Sequence, residues 1–386
     1  MRCPHCDAPA QFLYFNDGKL RSQIRCKACH GLSQVPHRPE SGKLKTRYWC
    51  PHCTHALYRW KQQPLCTIYK CDNDKCPTYL KALAKLNAKE KELRKTRSSQ
   101  FKLRYQYREY HFTKEHLLHA APDSSKVDID KIYNTPNVLG LVLTFHVSFA
   151  IAARKTAQIL RQVFGIAISY QTVLNYAEAA APYCHHFNRI WKGEIDDESA
   201  GDETYIKIEG KQAYTFFFVS ALKHKITAYH LAYSRDTLAA TVAMKEAIRT
   251  QGKGQEIALI TDGNPAYPAG IHFINTHRSS ENQIQHRKVI GLQNLDEESE
   301  LNRHFKQIIE RLNRTYKYHI RAANGFKATN GAITLTTLFV THYNFLRPHM
   351  ALNHKVPVPI SEISARETIQ AKWCKIIEMA RKAALL

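Results

Sequence analysis

The sequence lacks a hydrophobic run long enough for a membrane span. Its longest apolar stretch, residues 137–153, is interrupted by polar side chains and falls short of the roughly 20 apolar residues that cross a bilayer. The opening residues, MRCPHCDAPA, also lack the apolar segment that is typical of a signal peptide. We therefore expect a cytoplasmic protein with no membrane partner.

Acidic residues are scarce relative to basic ones. The 386 residues include 56 Lys and Arg against 33 Asp and Glu, which gives a net charge of +23 and a pI near 9.5. This excess predicts a polyanionic partner, because neutralising phosphates releases counterions whatever the base sequence. Nucleic acid is favoured over an anionic membrane surface, since no amphipathic anchor accompanies the charge. The length predicts about two to four domains.

Cysteine is rare beyond residue 76, where only Cys184 and Cys374 of the 11 cysteines lie. We expect both to be inert. The other nine occur mostly in CxxC pairs, which in a chain without an export signal indicates metal binding rather than disulfides. Two Zn²⁺ sites are predicted, one formed by Cys3, Cys6, Cys26 and Cys29, and one by Cys50, Cys53, Cys71 and Cys76.

Each set of four cysteines predicts a zinc ribbon. Asp17 and Gly18 supply the turn chemistry of a hairpin between the two pairs of the first set. Four thiolates leave no open position for water, so both sites are predicted to be structural. The last pair of the second set is wider (CDNDKC), and Cys66 could replace Cys71 or Cys76 there.

A basic segment follows the cysteines. Residues 81–108 hold ten Lys and Arg and two Glu, and so many cations in a short span would repel one another without a polyanion. We predict that this segment contacts the DNA backbone. Its end, FKLRYQYREYHF (101–112), alternates apolar and polar residues as a half-buried strand does.

Residues 148–180 are predicted to form a helix-turn-helix. The first helical pattern ends at Gly165, and Ser169 is placed to cap a second helix. Two helices joined by a short turn are typical of this DNA-binding motif, although helical pairs also occur in ordinary cores. The second helix would present three side chains to base edges: Tyr170, Gln171 and Asn175.

Beyond residue 194 the pattern predicts the opening of an RNase-H-like fold. Three β-rich runs, a helix-like segment and a run ending in EIALITDG (256–263) follow one another. Three acidic residues lie at the ends of predicted strands or within the helical stretch that follows them. Asp202 begins the first strand, Asp262 ends the fourth, and Glu310 lies within the helix.

Strand alternation favours Asp202 over its neighbour Glu203 as a site residue. Alternate residues of a strand share a face, so Asp202 aligns with the apolar Ile206 and Ile208. Glu203 is expected to point toward polar surroundings, pairing with Lys207 or supporting the site.

Three carboxylates without a Cys or His cluster nearby favour Mg²⁺ or Mn²⁺ over zinc. Two such ions can activate water or a 3′ hydroxyl and stabilise the leaving oxygen of an in-line phosphoryl transfer. The acids therefore predict a metal-dependent enzyme acting on phosphodiesters.

The chain resembles the insertion-sequence DDE transposases, relatives of retroviral integrases. The resemblance rests on DETYIKIEGK, ITDGNPAY, IIERLNRTYK, NGFKATNGA and YNFLRPHMALN, in this order between residues 202 and 353. It implies that Asp202, Asp262 and Glu310 are the catalytic, metal-binding triad. It also implies a prokaryotic, nucleoid-associated protein that binds double-stranded DNA, namely the terminal inverted repeats of its element and a target. A homodimer or higher oligomer on DNA is expected.

The third acid has competitors. Asp262 and Glu310 are separated by 47 residues (263–309), longer than the interval commonest in the family, whereas Glu297 and Glu298 lie nearer that interval. Members of the family often carry Lys or Arg seven residues after the catalytic Glu. Glu310 is preferred because two cations follow it at i+4 and i+7 and would lie beside the scissile DNA: Arg314 and Lys317.

The sequence thus predicts a multidomain α/β protein with zinc ribbons, a helix-turn-helix domain and an RNase-H-like core. The expected function is that of a transposase that cleaves and joins DNA; a DNA-binding regulator without catalysis and a nuclease without joining activity are alternatives. Lys327, Arg347 and His349 could contact DNA or support the core. The predicted domains are a zinc ribbon at 1–36, a second at 45–80, a basic connector at 81–112, the helix-turn-helix domain at 113–185, the catalytic domain at 195–353 and a helical tail at 354–386.

Overall fold

The computed structural model divides the chain into two compact units, Met1–His111 and Phe112–Leu386. The turn predicted at Asp17 and Gly18 lies outside the described residues. In the described part of the chain, every helix is too short or too polar to cross a membrane. The structure describes residues 2–16, 23–34, 47–125, 127–129, 132, 134–194, 196–249, 257–289 and 297–384.

The first unit contains two three-stranded antiparallel sheets, ordered β1-β2-β3 and β4-β5-β6. The alternation predicted for 101–112 corresponds to β6, which pairs with β5, so the end of the predicted basic connector is part of the second sheet. The elements of this unit are β1 (Leu13–Phe15), β2 (Gln23–Cys26), β3 (Leu32–Gln34), β4 (Tyr58–Gln63), β5 (Cys66–Lys70), α1 (Pro77–Ala84), α2 (Ala88–Thr96) and β6 (Gln106–Tyr110).

The second unit combines a mixed sheet with helices. Its elements are α3 (Pro136–Leu143), α4 (Ala153–Phe164), α5 (Tyr170–Ile190), β7 (Glu198–Ile208), β8 (Lys211–Ser220), β9 (Ile226–Ala232), α6 (Thr237–Arg249), β10 (Ile257–Thr261), α7 (Ala266–Asn275), β11 (Ile284–Lys288), α8 (Glu297–Leu301), α9 (Arg303–Arg321), α10 (Thr329–Thr341), α11 (Ser361–Ser364) and α12 (Ile369–Ala384).

The five strands of the second unit have the RNase-H-like order β11-β10-β7-β8-β9. The first three strands in sequence form an antiparallel meander, and β10 pairs parallel with both β7 and β11. This topology confirms the predicted fold class. Strand β11 was not anticipated, because its residues IQHRK are largely polar and form a sheet edge.

Helices cover both faces of the sheet because β8 is apolar on both sides. Phe216 and Phe218 pack in a core with α6 and α7, whereas Phe217 packs in another with α9 and α10. All three rings are fully buried. Successive side chains of a strand point to opposite faces, so the FFF run of β8 anchors the two helical layers and fixes the sheet between them.

A third core lies among helices α3, α4, α5, α10 and α12. The first helix of the predicted helix-turn-helix begins at Ala153 rather than near residue 148, since Thr144–Ser148 is a π-helical turn continuing α3. Helix α5 continues to Ile190 through Pro182, because its second half is buried in this core. Helix α12, in the predicted tail, packs on α3 and α5, and Trp373 Nε1 donates to Ser148 Oγ at 2.9 Å.

Candidate active site

Strand β7 holds Asp202 on the face that the alternation predicts. Thr204, Ile206 and Ile208 share that parity and are all buried. The side chain of Asp202 is 13% exposed. The buried neighbours on the same face of β7 therefore hold Asp202 in place, and its carboxylate lies at the margin of the core.

Two side chains of α9 contact the carboxylate of Asp202. Asn313 Nδ2 donates to Asp202 Oδ2 at 3.1 Å, and Lys306 Nζ lies 3.6 Å from the same oxygen. Burial raises the pKa of Asp202 from 3.8 to about 6; Lys306 opposes this rise, and the charges of Glu203 and Asp262 add to it. Asp202 thus carries an ionised carboxylate at neutral pH in surroundings that disfavour its charge.

Glu203 points toward polar groups, as expected, but its partners are Arg235 and Tyr267 rather than Lys207. Its side chain is only 3% exposed and accepts hydrogen bonds from Arg235 Nε and the Tyr267 hydroxyl. Asn264 Nδ2 lies 3.4 Å from Glu203 Oε1. Burial, followed by the charge of Glu203, raises the pKa of Tyr267 far above its ordinary value, so the phenol remains a donor.

Asp262 follows the last residue of β10, which pairs parallel with β7. The backbone N–H of Asn264 donates to Asp262 Oδ1 at 2.9 Å, which fixes the turn after the strand. Arg235 Nη2 lies 3.3 Å from Asp262 Oδ2. Because Arg235 also pairs with Glu203, its guanidinium links the two acids.

Helix α9 carries Glu310 at the edge of the core, as predicted. Its neighbours Ile309 and Leu312 are buried, while the Glu310 side chain is 34% exposed and lies 3.9 Å from Lys306 Nζ. Lys306 therefore contacts both Asp202 and Glu310. Within the described residues, the carboxylates whose oxygens lie within 4.8 Å of one another are those of Asp202, Glu203 and Asp262, so Glu310 is adjacent to that group but outside it.

The alternative third acids lie at the start of α8. Glu297 begins that helix and is exposed, and the side chain of Glu298 lies outside the described residues. Of the two whose side chains are described, Glu310 and Glu297, it is Glu310 that a contact connects with Asp202, through Lys306.

The cations predicted to flank the scissile DNA are exposed on α9. Arg314 and Lys317 both face solvent, and Lys317 Nζ lies 4.3 Å from the centre of the Tyr205 ring. Tyr205 is on β7, three residues after Asp202. A basic and aromatic surface thus begins beside the acids.

The predicted helix-turn-helix residues form a local arrangement of their own. Gly165 ends α4 with a φ of +67°, a left-handed conformation that glycine adopts without strain. Ser169 caps α5, its Oγ accepting from the Thr172 N–H at 3.0 Å. Tyr170 and Gln171 are exposed, and Gln171 Nε2 donates to Asn175 Oδ1 at 2.9 Å.

The structure brings together each predicted set of four cysteines. The four sulfurs of each set lie within 4.8 Å of one another. Within the first set, the Sγ–Sγ distances are 3.6 Å for Cys3–Cys29 and 3.7 Å for Cys6–Cys26. Within the second set, they are 3.9 Å for Cys50–Cys76 and 3.6 Å for Cys53–Cys71. Zn–S bonds of about 2.3 Å in a tetrahedron require about 3.8 Å between sulfurs. Both sets fit Zn²⁺. Cys66 lies on β5, where its thiol donates to Gln63 Oε1 at 3.1 Å, and belongs to neither set.

The donor chemistry of the acidic group fits a hard divalent cation. Its members offer carboxylate oxygens, the ligands that Mg²⁺ and Mn²⁺ prefer. Asn313 Oδ1 is buried without a hydrogen-bond partner in the described part of the chain, beside the carboxylate of Asp202. Glu203 is already occupied by Arg235 and Tyr267, so Asp202 and Asp262 are the better ligands and Glu203 the better positioning group.

Sequence reasoning missed four residues of this site: Arg235, Tyr267, Lys306 and Asn313. Lys306 and Asn313 lie four residues before and three after Glu310, so helical spacing could have identified them. No local pattern joins Glu203 to Arg235 and Tyr267, because 31 residues (204–234) and 63 residues (204–266) intervene.

The strand order is that of an RNase-H-like fold, and the three predicted acids lie on β7, directly after β10 and on α9. Residues 198–344 match the family model DDE_Tnp_IS240, described as a DDE domain. This match confirms the resemblance seen in the sequence over residues 198–344.

Curated relatives are insertion-sequence transposases of Staphylococcus aureus. The transposase for insertion sequence-like element IS431mec (strain N315) is 29% identical over 133 residues, covering 34% of this chain and 56% of that protein. The transposase for insertion sequence element IS257 in transposon Tn4003 gives the same values. The chain therefore spans just over half the length of these relatives.

Two solved structures show lower similarity. The HTLV-2 integrase catalytic core domain in complex with magnesium is 16% identical, with a TM-score of 0.30, over 43% of this chain and 96% of that one. A chain of the Mos1 Strand Transfer Complex is 10% identical, with a TM-score of 0.25, over 68% of this chain and 81% of that one.

Proposed function

We propose that the protein is a DNA transposase that binds the ends of an insertion sequence and catalyses divalent-metal-dependent cleavage and strand transfer. The observation that supports the proposal is the proximity of Asp202 on β7 to Asp262 after the adjacent strand β10, within the matched DDE domain. Lys306 of α9 contacts both Asp202 and Glu310 and so connects the third acid with this pair. These three acids are proposed as the catalytic and metal-binding triad.

The protein's own groups would prepare this site for DNA. Asn313 orients the carboxylate of Asp202 by donating to it. Arg235 and Tyr267 hold Glu203, and Arg235 also holds Asp262. Lys306 offsets repulsion between Asp202 and Glu310. Two bound Mg²⁺ or Mn²⁺ ions would activate water or a 3′ hydroxyl and stabilise the leaving oxygen.

DNA binding is proposed to use several basic regions. The net charge of +23 supports a polyanionic partner. Arg314 and Lys317 would contact the backbone near the acids, and α5 would present Tyr170, Gln171 and Asn175 to bases. The two cysteine sets, each holding one structural Zn²⁺, would fold the first unit as a DNA-binding region.

The proposed partners are the inverted repeats at the ends of the element and a target duplex. Joining two ends needs two active sites held together, so we propose a homodimer or larger assembly on DNA. A location in the prokaryotic cytoplasm, on the nucleoid, follows from this role. The domain boundaries given by the sequence remain part of the proposal.

The test is cleavage and joining of DNA that flanks the protein's own gene. With Mg²⁺, the full-length protein is expected to nick the element ends and to join a pre-cut 3′ end to a plasmid. Asp202→Asn should bind the same DNA but neither cut nor join it. Asp236→Asn is the matched control, because Asp236 caps α6 and Asn caps helices equally well.

The alternatives give different outcomes in the same assay. A protein that binds the ends but is inactive in Mg²⁺ and Mn²⁺ would be a regulator. One that cuts but never joins a pre-cut end would be a nuclease. Undiminished cutting and joining by Asp202→Asn would refute the assigned triad.

A further inference from the structure

A cleft beside α9, distinct from the acidic group, has the features of a nucleotide site. Its volume is about 580 Å³, within the range of pockets that bind small molecules. It lies where α9, the π-helical turn His342–Leu346 after α10 and the π-helical turn Thr144–Ser148 after α3 meet. Its lining includes Phe149, Arg314, Tyr318, His319, His342 and Arg347.

Two histidines of the cleft are buried, and one of them has a ring nitrogen without a hydrogen-bond partner. His319 is 7% exposed and His342 is 5% exposed. His319 Nδ1 donates to Thr315 O at 2.9 Å, which leaves Nε2 as an acceptor. Within the described residues, His342 Nδ1 has no hydrogen-bond partner, whereas His319 also interacts with the backbone of Ser148. A buried polar atom without a partner costs free energy, so a ligand that pairs with His342 Nδ1 would be favoured.

Both imidazoles are neutral at physiological pH. Burial lowers the pKa of His319, and burial lowers that of His342 well below its ordinary value; the nearby Arg347 guanidinium lowers both further. A neutral imidazole offers one donor and one acceptor, which suits the edge of a nucleobase better than a phosphate.

The cleft also contains two arginines and two exposed aromatic rings, which are groups that bind the phosphate and the base of a nucleotide. Arg314 and Arg347 contribute two guanidinium groups, the side chain best suited to phosphate. Tyr318 and Phe149 are 64% and 53% exposed, so each has a ring face open to stacking with a base. The cleft thus combines phosphate-binding, stacking and base-edge groups.

The position of the cleft connects it with the acidic group. Arg314 and Tyr318 follow Glu310 by one and two turns on α9, so the cleft begins about 6 Å along the helix from Glu310. We propose that the cleft binds a single nucleotide unstacked from the DNA strand that lies at the acids, with its base between Tyr318 and Phe149 and its edge on His319 and His342. This inference rests on the proposed function, because it requires bound DNA.

Photocrosslinking tests the proposal on the full-length protein. A 30-base-pair duplex with the sequence that flanks the gene would carry 5-iododeoxyuridine at one position at a time, through the terminal base pairs and a short overhang. Irradiated complexes, formed with Ca²⁺ to prevent cleavage, would be mapped by mass spectrometry. We expect one or two adjacent positions to crosslink to Tyr318 or Phe149.

Variants separate stacking from general DNA affinity. Tyr318→Ala should lower the crosslink yield about tenfold, since stacking on an aromatic contributes about 1–3 kcal/mol per base, while Tyr318→Phe should retain it. Arg347→Gln should also lower the yield. Arg311→Gln is the matched control, because Arg311 is exposed on the same helix but does not line the cleft. Duplex affinity, from fluorescence anisotropy, should change little in Tyr318→Phe and Arg311→Gln.

Failure of the cleft and failure of the proposed function give different results. DNA that binds but crosslinks only outside the cleft overturns the nucleotide site and leaves the transposase proposal standing. No binding to any duplex overturns both. Free dTMP that abolishes the crosslink at micromolar concentration while duplex affinity stays constant would mean that the cleft takes a free nucleotide, which also contradicts the proposal.

Discussion

Replacing Asp202 by asparagine is expected to stabilise the metal-free protein while abolishing DNA cleavage. Burial holds the pKa of Asp202 at about 6, against an ordinary value of 3.8. The acid is therefore harder to ionise in the folded state than in the unfolded state. At 1.36 kcal/mol per pH unit, the difference corresponds to about 3 kcal/mol of destabilisation above pH 6. Asparagine removes the charge and can donate to the unpartnered Asn313 Oδ1.

The sign of the pH dependence follows from the raised pKa. Above about pH 6 the ionised carboxylate destabilises the fold; as the pH falls from 6 toward 3.8 the folded state takes up the proton first, and the penalty disappears. Lys306 loses one of its two carboxylate partners in the variant, which offsets part of the gain. We expect a net stabilisation of about 1–3 kcal/mol at pH 7.5 and little difference near pH 4.

Urea unfolding in EDTA-free, Mg²⁺-free buffer measures this effect without removing zinc. The fluorescence of the fully buried Trp373 reports on the second unit. Asp236→Asn, whose carboxylate caps α6, should show no such gain. An Asp202→Asn protein that is less stable than wild type at pH 7.5, or equally stabilised at pH 4 and 7.5, would refute the reasoning about the strained carboxylate.

Two further predictions concern packing and zinc. Gly201→Ala should lower the free energy of unfolding by about 1–3 kcal/mol, because a Cβ there would clash with the buried ring of Phe218; Gly331→Ala, with no atom within 4 Å of the added methyl, should raise it by about 0.5–1 kcal/mol. Equal effects in urea unfolding would contradict the clash. Metal analysis should find two zinc ions per chain in wild type, one in Cys71→Ala and two in Cys66→Ala, because Cys66 is outside both cysteine sets. Loss of zinc from Cys66→Ala would reverse that assignment.

The sheet was largely predictable from sequence because its central strands are apolar and β-rich. The runs that form β7, β8, β9 and β10 bury most of their side chains, so alternation and apolar content mark them. Strand β11 escaped detection because an edge strand needs fewer apolar residues. Helix α5 was predicted too short, because Pro182 suggests an end that the burial of Cys184 and Phe187 overrides.

Site residues that are placed by the alternation of a single strand could be predicted from the sequence. Contacts between side chains that are far apart in the sequence could not. The parity of β7 placed Asp202 correctly, because the apolar residues of the same strand define the buried face. The same rule did not identify the partners of Glu203, since Arg235 and Tyr267 reach its side chain from elsewhere in the fold. A side chain on the strand face that points away from the core is buried only when residues distant in sequence cover it. The pattern of one strand contains no information about those residues.

The most direct test of the account is strand transfer by variants of the third acid. Purified full-length proteins would be given a pre-cut 3′ end of the gene's flanking DNA, a plasmid target and Mg²⁺, and joined products would be quantified. The account predicts that Glu310→Gln loses joining by at least about a hundredfold, a barrier increase of about 2.7 kcal/mol, while Glu297→Gln joins as wild type does. Joining that survives Glu310→Gln but is lost in Glu297→Gln would contradict the proposed triad.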